Sequence, residues 1–172
     1  MTRANARELA VHLIYAQKFT GEEPGAVVSA RLDKEYYSVL SAESEVYAER
    51  PSRQQLRYID TVVAGVANRE EELNASIQQF AIGWDITRIS RLSRSIMQLA
   101  IFEILYMDDV PTGVAISEAV RMAKKYDTED SGPFVNGILG AFARSLNAPA
   151  APAAPVEAAE AAEPVAAAPA EE

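Results

Sequence analysis

The sequence has no cysteine and only one histidine, His12. Without cysteine the chain can form neither a disulfide nor a thiolate metal site, and it has no cysteine nucleophile. Nucleophilic or acid–base catalysis needs a poised group of titratable side chains, and a lone imidazole inside a predicted helix does not provide one. We therefore expect His12 to be an ordinary packed or half-exposed helix residue, and the chain not to be an enzyme.

Sequence motifs for phosphate, metal and membrane binding are also missing. There is no GxxxxGK[ST] loop and no GxGxxG loop. The carboxylate pairs Asp108 with Asp109 and Glu129 with Asp130 lack the spacing of a calcium loop. The N-terminus has no apolar leader, and the longest apolar runs fall well short of the roughly 18 residues of a membrane span. These absences predict a cytoplasmic protein, without cofactor or metal, that works by binding other macromolecules.

Negative charge is concentrated at the C-terminal end of the chain. The net charge is −9, and every residue from Ala148 to Glu172 is Ala, Pro, Glu or Val, with five glutamates and no basic side chain. This composition offers too little bulky apolar surface to offset the entropy cost of ordering. We expect a folded domain over residues 1–147 and a disordered acidic tail over 148–172. The domain alone, at −4, would bind RNA only weakly through bulk electrostatics, so a local patch or a partner would have to help.

Apolar side chains recur at helical spacing nearly throughout the domain, which predicts an all-α fold, a single compact bundle of about seven helices. The segment between residues 41 and 51 is predicted to be a polar connection, and Gly83 is predicted to end a long helix. We expect helices over Arg3–Phe19, Ala26–Leu40, from a cap at Ser52 to Phe80 with or without a break, Ile89–Ile104 at the centre of the core, Val114–Tyr126 and Ser131–Ser145.

Two local features suggest a binding surface. Arg3 and Arg7 lie four residues apart near a helix N-terminus, where both would project from one face and where partial positive charge favours anions; a solvated helix end is the alternative. Gly137 and Gly140 lie inside the last predicted helix, where each costs about 1 kcal/mol relative to alanine. That cost indicates close approach of another helix, or of RNA, to the backbone.

The C-terminal half of the domain carries a specific pattern. Residues 109–120 read DVPTGVAISEAV, residues 123–126 read AKKY and residues 134–139 read FVNGIL. With Ala6-Arg7-Glu8, Tyr15, Gly65-Val66 and residues 88–103, these segments span nearly all of residues 3–146 and closely resemble the NusB family of transcription antitermination factors. The resemblance implies a fold of seven helices. It also implies a protein that pairs with the NusE-type small-subunit ribosomal protein and binds the single-stranded boxA element of nascent RNA. Such a protein helps RNA polymerase in the antitermination complex on ribosomal RNA operons.

The resemblance also implies which residues contact RNA. The arginine-rich N-terminal segment of the family corresponds to Arg3 and Arg7, and the phenylalanine of its FVNG motif corresponds to Phe134. Bases of single-stranded RNA stack on aromatic rings while arginines meet phosphates. Asp130 matches a position on the RNA side and could accept a base amino group, although helix capping by Asp130 or its neighbour would also explain it. Lys124 is a candidate phosphate contact, with a solvated helix face as the alternative.

For the protein partner, the resemblance implies Tyr15 and the neighbourhood of Ser93. Tyr15 could equally pack in the core. Ser93 stands where the family usually carries an acidic residue, and Gly132 and Pro133 stand where relatives often carry polar or basic ones. A helical adaptor that keeps the protein contact but has little affinity for RNA is the second hypothesis.

Overall fold

The computed structural model describes residues 1–147, and this part of the chain contains eight α-helices and no strand. The all-α prediction is confirmed, while the predicted disordered tail, 148–172, lies outside the described residues. Two short 3₁₀ turns, Glu45–Tyr47 and Ile86–Arg88, connect helices. The helices are α1 (Arg3–Thr20), α2 (Pro24–Arg31), α3 (Lys34–Glu43), α4 (Arg53–Asn68), α5 (Glu70–Phe80), α6 (Arg91–Tyr106), α7 (Thr112–Tyr126) and α8 (Ser131–Asn147).

Short polar side chains set where the main helices begin. The Thr2 hydroxyl accepts a hydrogen bond from the backbone N–H of Asn5 at 3.0 Å, and α1 ends at Gly21, which has a φ of +64°. The predicted cap Ser52 is confirmed, because its hydroxyl and the Gln55 carboxamide satisfy each other's backbone N–H groups in a capping box. Ser90 caps α6 in the same way as Thr2 caps α1, by accepting from a backbone N–H three residues on.

Two predicted boundaries in the N-terminal half are wrong. The segment predicted as one helix over 26–40 is two helices, because the Asp33 carboxylate accepts from the backbone N–H groups of Glu35 and Tyr36 and starts a new helix there. The predicted polar connection contains a 3₁₀ turn whose Val46 and Tyr47 are buried in the core. Its polar neighbours in sequence conceal these two apolar positions.

Helix α6 forms the centre of the bundle, as its dense apolar pattern predicted. It packs against α1, α4, α5, α7 and α8. Its middle turns carry fully buried side chains, as expected for a helix surrounded by others; they include Ile96, Met97, Leu99 and Ile101. Because α6 is covered on most sides, only its two ends reach the surface.

Close helix approach occurs at glycines other than the predicted pair. A side chain at Gly65 of α4 would meet the Phe102 ring of α6 at 2.2 Å, so these two helices cross at van der Waals contact. At Gly137 a Cβ would meet nothing within 4 Å, and at Gly140 only the Arg144 side chain of the same helix. The interpretation that Gly137 and Gly140 allow another helix to approach is therefore wrong for the described residues.

A buried carboxylate joins α1 to α7. Glu8 is 2% exposed, and it accepts hydrogen bonds from Lys125 at 2.7 Å, from the Tyr126 hydroxyl at 2.6 Å and from Arg121. Burial would raise the pKa of Glu8, but these donors lower it overall. Glu8 is consequently charged at neutral pH and fixes α7 against the first helix.

His12 lies on α1 beside Tyr126, one of the donors to Glu8, and is largely buried. Arg31 donates to the Tyr47 hydroxyl at 2.8 Å, which leaves the hydroxyl proton available for Nδ1 of His12 at 3.0 Å. The ring also meets Tyr126 edge-on at 5.2 Å. Burial and the positive charge of Arg31 lower the pKa of His12 to about 4. His12 is therefore neutral at pH 7, as its packed environment requires.

This shifted pKa predicts a pH-dependent stability. Since the pKa of His12 is about 6.5 in the unfolded chain and about 4 in the folded one, the unfolded state binds more protons between these values. Neutral His12 makes its full contribution to the free energy of unfolding above pH 6.5. About 2 kcal/mol of this free energy should be lost between pH 7 and pH 5. Urea unfolding at both pH values measures the loss. The His12→Gln variant should show a smaller difference between the two pH values, and an equal difference would contradict the assignment.

Candidate nucleic-acid interface

The two arginines of α1 have different environments. Arg3 is exposed and forms an ion pair with Asp109 at 2.7 Å. The Arg7 side chain is only 3% exposed, and its Nε donates to both carboxylate oxygens of Glu103 at 3.0 Å. Burial would lower the pKa of Arg7, but the hydrogen bond and charge of Glu103 raise it overall. Arg7 therefore does not offer its charge to solvent beside Arg3, as a shared binding surface would require, because it is paired with a carboxylate 96 residues away in the interior.

The residues predicted to contact RNA do not form one patch. Helix α1 runs antiparallel to α6, so that Arg3 lies beside Asp109, just beyond the C-terminal end of α6. Phe134 and Asp130 instead line a cavity with Ser93, in the first turn of α6. The 16 residues of α6 are about 24 Å long at 1.5 Å per residue. The structure therefore places Arg3 and Phe134 at opposite ends of the central helix.

The cavity at the N-terminal end of α6, which we name the aromatic cavity, has a volume of about 450 Å³. Two of its walls are the Trp84 and Phe134 rings, which meet edge-on with their centroids 5.6 Å apart. Trp84 is 49% exposed, unusual for so large an apolar side chain, whereas Phe134 is partly buried. The lining residues are Trp84, Arg88, Ile89, Ser90, Ser93, Asp127, Thr128, Asp130, Ser131 and Phe134.

The loop that carries Trp84 is held by hydrogen bonds from the end of α5. The Gln78 carboxamide donates to the Trp84 carbonyl and accepts from the Ile86 backbone N–H, both at 2.8 Å. Gly83 has a φ of +79°, a conformation that other residues rarely adopt, and it lets the chain turn immediately before the tryptophan. The Trp84 backbone N–H also donates to the Ala81 carbonyl at 3.0 Å. The exposed indole therefore stands on a fixed backbone.

A carboxylate forms one side of the aromatic cavity. Oδ2 of Asp127 accepts hydrogen bonds from the Ser90 and Ser93 hydroxyls, each at 2.6 Å. Partial burial raises the pKa of Asp127, but the serine hydroxyls lower it overall, so the group is charged at neutral pH. Ser93 itself is buried and is a hydrogen-bond donor. Ser93 of α6 therefore contacts a carboxylate that comes from the loop between α7 and α8.

Lys124 and Asp130 lie at the same end of the bundle as Phe134. A Cβ at Gly132 would meet the Lys124 side-chain carbons at 2.5 Å, which shows that the lysine stem lies across the first turn of α8. Lys124 and Asp130 are exposed. The absence of a side chain at Gly132 therefore makes room for Lys124 of α7.

Tyr15 belongs to a second exposed group at the same end of α6. It is partly buried and packs against Phe19, with ring centroids 4.8 Å apart. Phe19 is 55% exposed, and the Arg91 guanidinium lies 4.9 Å from its ring centre. We name these three residues the Tyr15–Phe19 patch. Beside it, Lys18 pairs with Glu70 at 2.5 Å. Because Arg91 and Ser93 belong to the same helical turn, the patch and the aromatic cavity flank the start of α6.

Sequence reasoning missed Trp84, Asp127, Phe19 and Arg91. A single tryptophan directly after a glycine, between two predicted helices, was an available signal for an exposed aromatic loop. Phe19 stands two residues before the glycine that ends α1, where a large ring has little core to enter. Asp127 could not have been found, because its contact with Ser93 depends on how α7 turns back onto α6.

Within residues 1–147 no group of three or more His, Cys, Asp or Glu side chains is arranged to hold a metal ion. None of the helices in that range combines the length and apolar content needed for a bilayer crossing.

Comparison with known sequences gives consistent matches. The model of the NusB family matches residues 4–144. Transcription antitermination protein NusB of Symbiobacterium thermophilum is 34% identical over 146 residues, which cover 85% of this chain and 92% of that protein. The protein of the same name from Acetivibrio thermocellus is 38% identical over 140 residues, which cover 81% of this chain and 87% of that protein.

Solved structures show the same fold. T. maritima NusB superposes with a TM-score of 0.69 at 26% identity, covering 84% of this chain and 92% of that one. A crystal structure of antitermination factors NusB and NusE in complex with dsRNA contains a chain that superposes with a TM-score of 0.65. That chain is 23% identical, and the match covers 83% of this chain and 96% of that one. At that identity the likeness is one of fold.

Proposed function

Because this chain belongs to the NusB family, we propose that it is a transcription antitermination factor that acts by binding and not by catalysis. It binds boxA-type single-stranded RNA together with a NusE-type ribosomal protein, and the assembly keeps RNA polymerase transcribing ribosomal RNA operons in the cytoplasm. Two relatives, 34% and 38% identical over the aligned residues, are named transcription antitermination proteins. A chain of the same fold has been crystallised with NusE and dsRNA.

The observation that carries the proposal is the position of two exposed aromatic groups on either side of the first turn of α6. The aromatic cavity offers Trp84 and Phe134, and the Tyr15–Phe19 patch offers two further rings with Arg91 above one of them. Exposed, rigid aromatics next to cations suit both a protein partner and unpaired bases. RNA in the cavity and a protein on the patch would bind at the same end of α6, where contacts between them would let each favour the binding of the other.

Charge supports a need for the partner. The domain has a net charge of −4, and Arg7, Arg121 and Lys125 are engaged by Glu103 and Glu8. Exposed cations near the aromatic cavity are Arg88 and Lys124, which we propose as phosphate contacts. Since phosphate neutralisation provides much of RNA affinity, the domain alone should bind weakly, and a basic ribosomal protein would supply the missing charge. Arg3 would contact RNA only if the strand extended along the whole of α6.

The test is a binding titration of boxA RNA and a scrambled RNA of equal length, with and without the NusE-type protein. We expect weak binding by the protein alone, and tighter, sequence-dependent binding by the pair. Equal binding of the two RNAs in both conditions would overturn the proposal. In that case, binding of the NusE-type protein without RNA would support the adaptor hypothesis instead.

Replacing Phe134 with alanine should weaken RNA binding by the pair by about fivefold to 150-fold, the range for loss of one base–aromatic stacking contact of about 1 to 3 kcal/mol. Tyr36→Ala is the control, because it removes an aromatic ring from α3, away from the cavity. A fluorescence anisotropy titration measures both. If Phe134→Ala lowered the melting temperature and left RNA affinity unchanged, the ring would be a packing residue only.

A further inference from the structure

The aromatic cavity has features that the general proposal of RNA binding does not explain. We propose that it receives one unpaired nucleobase that carries an exocyclic amino group, stacked on Trp84 and hydrogen-bonded to Asp127. The inference rests on the proposed function and specifies which part of the RNA enters this site. It assigns roles to Trp84 and Asp127, two residues that the sequence pattern alone did not single out.

The walls of the cavity fit a flat aromatic guest. The Trp84 and Phe134 rings meet edge-on at 5.6 Å, so that they form a corner of the cavity, and about half of the Trp84 side chain stays exposed. Trp84 is half exposed although two hydrogen bonds from Gln78 fix its loop. A fixed and exposed aromatic face loses little conformational entropy when a base stacks on it. The volume of about 450 Å³ lies within the range of small-molecule sites.

The polar side of the cavity selects among bases. Asp127 is charged at neutral pH, and its Oδ2 already receives two serine protons at 2.6 Å, which fix the carboxylate in place. An ionised carboxylate is only an acceptor, with about four lone-pair sites on its two oxygens, so the hydroxyls of Ser90, Ser93 and Ser131 leave it room for another N–H donor. Asp130, exposed at the edge of the cavity, adds a second carboxylate. Two acceptors favour the amino groups of adenine, cytosine or guanine and disfavour the carbonyl edge of uracil.

The same carboxylates exclude phosphate from the interior of the cavity. Phosphate groups would meet like charge at Asp127 and Asp130. Arg88, which is exposed and lines the cavity, and Lys124 on α7 offer positive charge around it. A base inside with its flanking phosphates outside therefore matches the distribution of charge. A cationic side chain of a protein would also suit aromatic walls and carboxylates, but Arg88 on the lining disfavours such a guest.

The test uses the full chain with the NusE-type protein and a set of boxA RNAs in which each base in turn is replaced by uracil. We expect one replaced amino-bearing base to reduce affinity markedly for the wild type. Trp84→Ala should weaken binding of the unmodified RNA about tenfold or more, and Trp84→Phe should weaken it less. Asp127→Asn should reduce the difference in affinity between the RNA that has this base and the RNA that has uracil in its place, since a carboxamide both donates and accepts hydrogen bonds.

Asp60→Asn is the matched control, because it removes the same charge from an exposed position on α4. A general electrostatic effect of losing a carboxylate would appear in both variants and would not depend on the base. Retention of the wild-type melting temperature shows that Trp84→Ala is folded, and Trp84→Phe provides the comparison if it is not.

Three results would overturn the inference. The first is unchanged RNA affinity for folded Trp84→Ala with normal binding by the wild type, which leaves the proposed function standing. The second is a loss of base discrimination in Asp60→Asn equal to that in Asp127→Asn. The third is weaker binding of the NusE-type protein to Trp84→Ala in the absence of RNA, which would make the cavity a site for a partner side chain. Failure of the wild-type pair to bind any RNA would overturn the proposed function itself, and the inference with it.

Discussion

Replacing Glu103 with glutamine should lower the free energy of unfolding by about 3 to 5 kcal/mol. Glu103 has no exposed surface, and it accepts from Nε of Arg7 at 3.0 Å and from the Tyr58 hydroxyl at 2.9 Å. Glutamine would keep the shape but remove the hydrogen-bonded counter-charge of the buried Arg7 guanidinium, whose other carboxylate partner, Glu118, lies farther away at 3.6 Å. Breaking a buried ion pair by removing one partner is among the most destabilising single changes. Chemical denaturation monitored by circular dichroism measures the effect.

The matched control for this prediction is Asp109→Asn. It removes the acidic partner of the other arginine of α1, but both Arg3 and Asp109 are more than half exposed, so the change should be less than about 1 kcal/mol. Similar losses for the two variants would show that water reaches the Arg7–Glu103 pair, and would contradict the assignment of Arg7 to the interior.

The second large effect is expected at Gly65. A Cβ there would lie 2.2 Å from the Phe102 ring, so Gly65→Leu would force α4 and α6 apart in the middle of the core. Overpacking of this kind usually costs about 1 to 3 kcal/mol, and a whole leucine at a helix crossing should cost at least about 3 kcal/mol. Thermal and chemical unfolding both report it.

Gly137→Ala is the control of opposite sign. A Cβ at Gly137 meets nothing within 4 Å, and the residue lies inside α8, so alanine should stabilise the protein by about 0.5 to 1 kcal/mol through helix propensity. Destabilisation at Gly137 would show that its surroundings are more crowded than the structure indicates. Equal changes in the free energy of unfolding for Gly65→Leu and Gly137→Ala would contradict the close contact between α4 and α6 at Gly65.

The sequence predicted the helices well wherever local chemistry decides them. The starts of α1 and α8 and the capping of α4 by Ser52 match, because caps and apolar spacing are written in neighbouring residues. The break between α2 and α3 was missed although Asp33 is a local cap of the same kind, because the mixed apolar spacing of residues 26–40 was interpreted as one helix.

The candidate site was predictable only in part. Family resemblance selected Phe134, Asp130 and Lys124, and the structure places all three at one end of the bundle. Their contacts with RNA stay predictions. The burial of Arg7 could not be predicted from its neighbours in sequence, because it depends on a carboxylate supplied by a distant helix. Spacing along a helix tells which residues share a face, but not whether that face is exposed.

Arg7 and Glu8 are consecutive residues of α1, and their shortest contacts are with different helices. Arg7 donates to Glu103 of α6 and also pairs with Glu118 of α7 at 3.6 Å, whereas Glu8 binds Arg121 and Lys125 of α7. Because successive side chains of an α-helix point in different directions, these contacts fix both the position and the rotation of α1. A shift of α1 by one residue, or its rotation about its axis, would break both sets of contacts. Phe19, three turns further along α1, is therefore held in position before any partner binds. Binding of a partner then loses little conformational entropy in ordering this end of the helix.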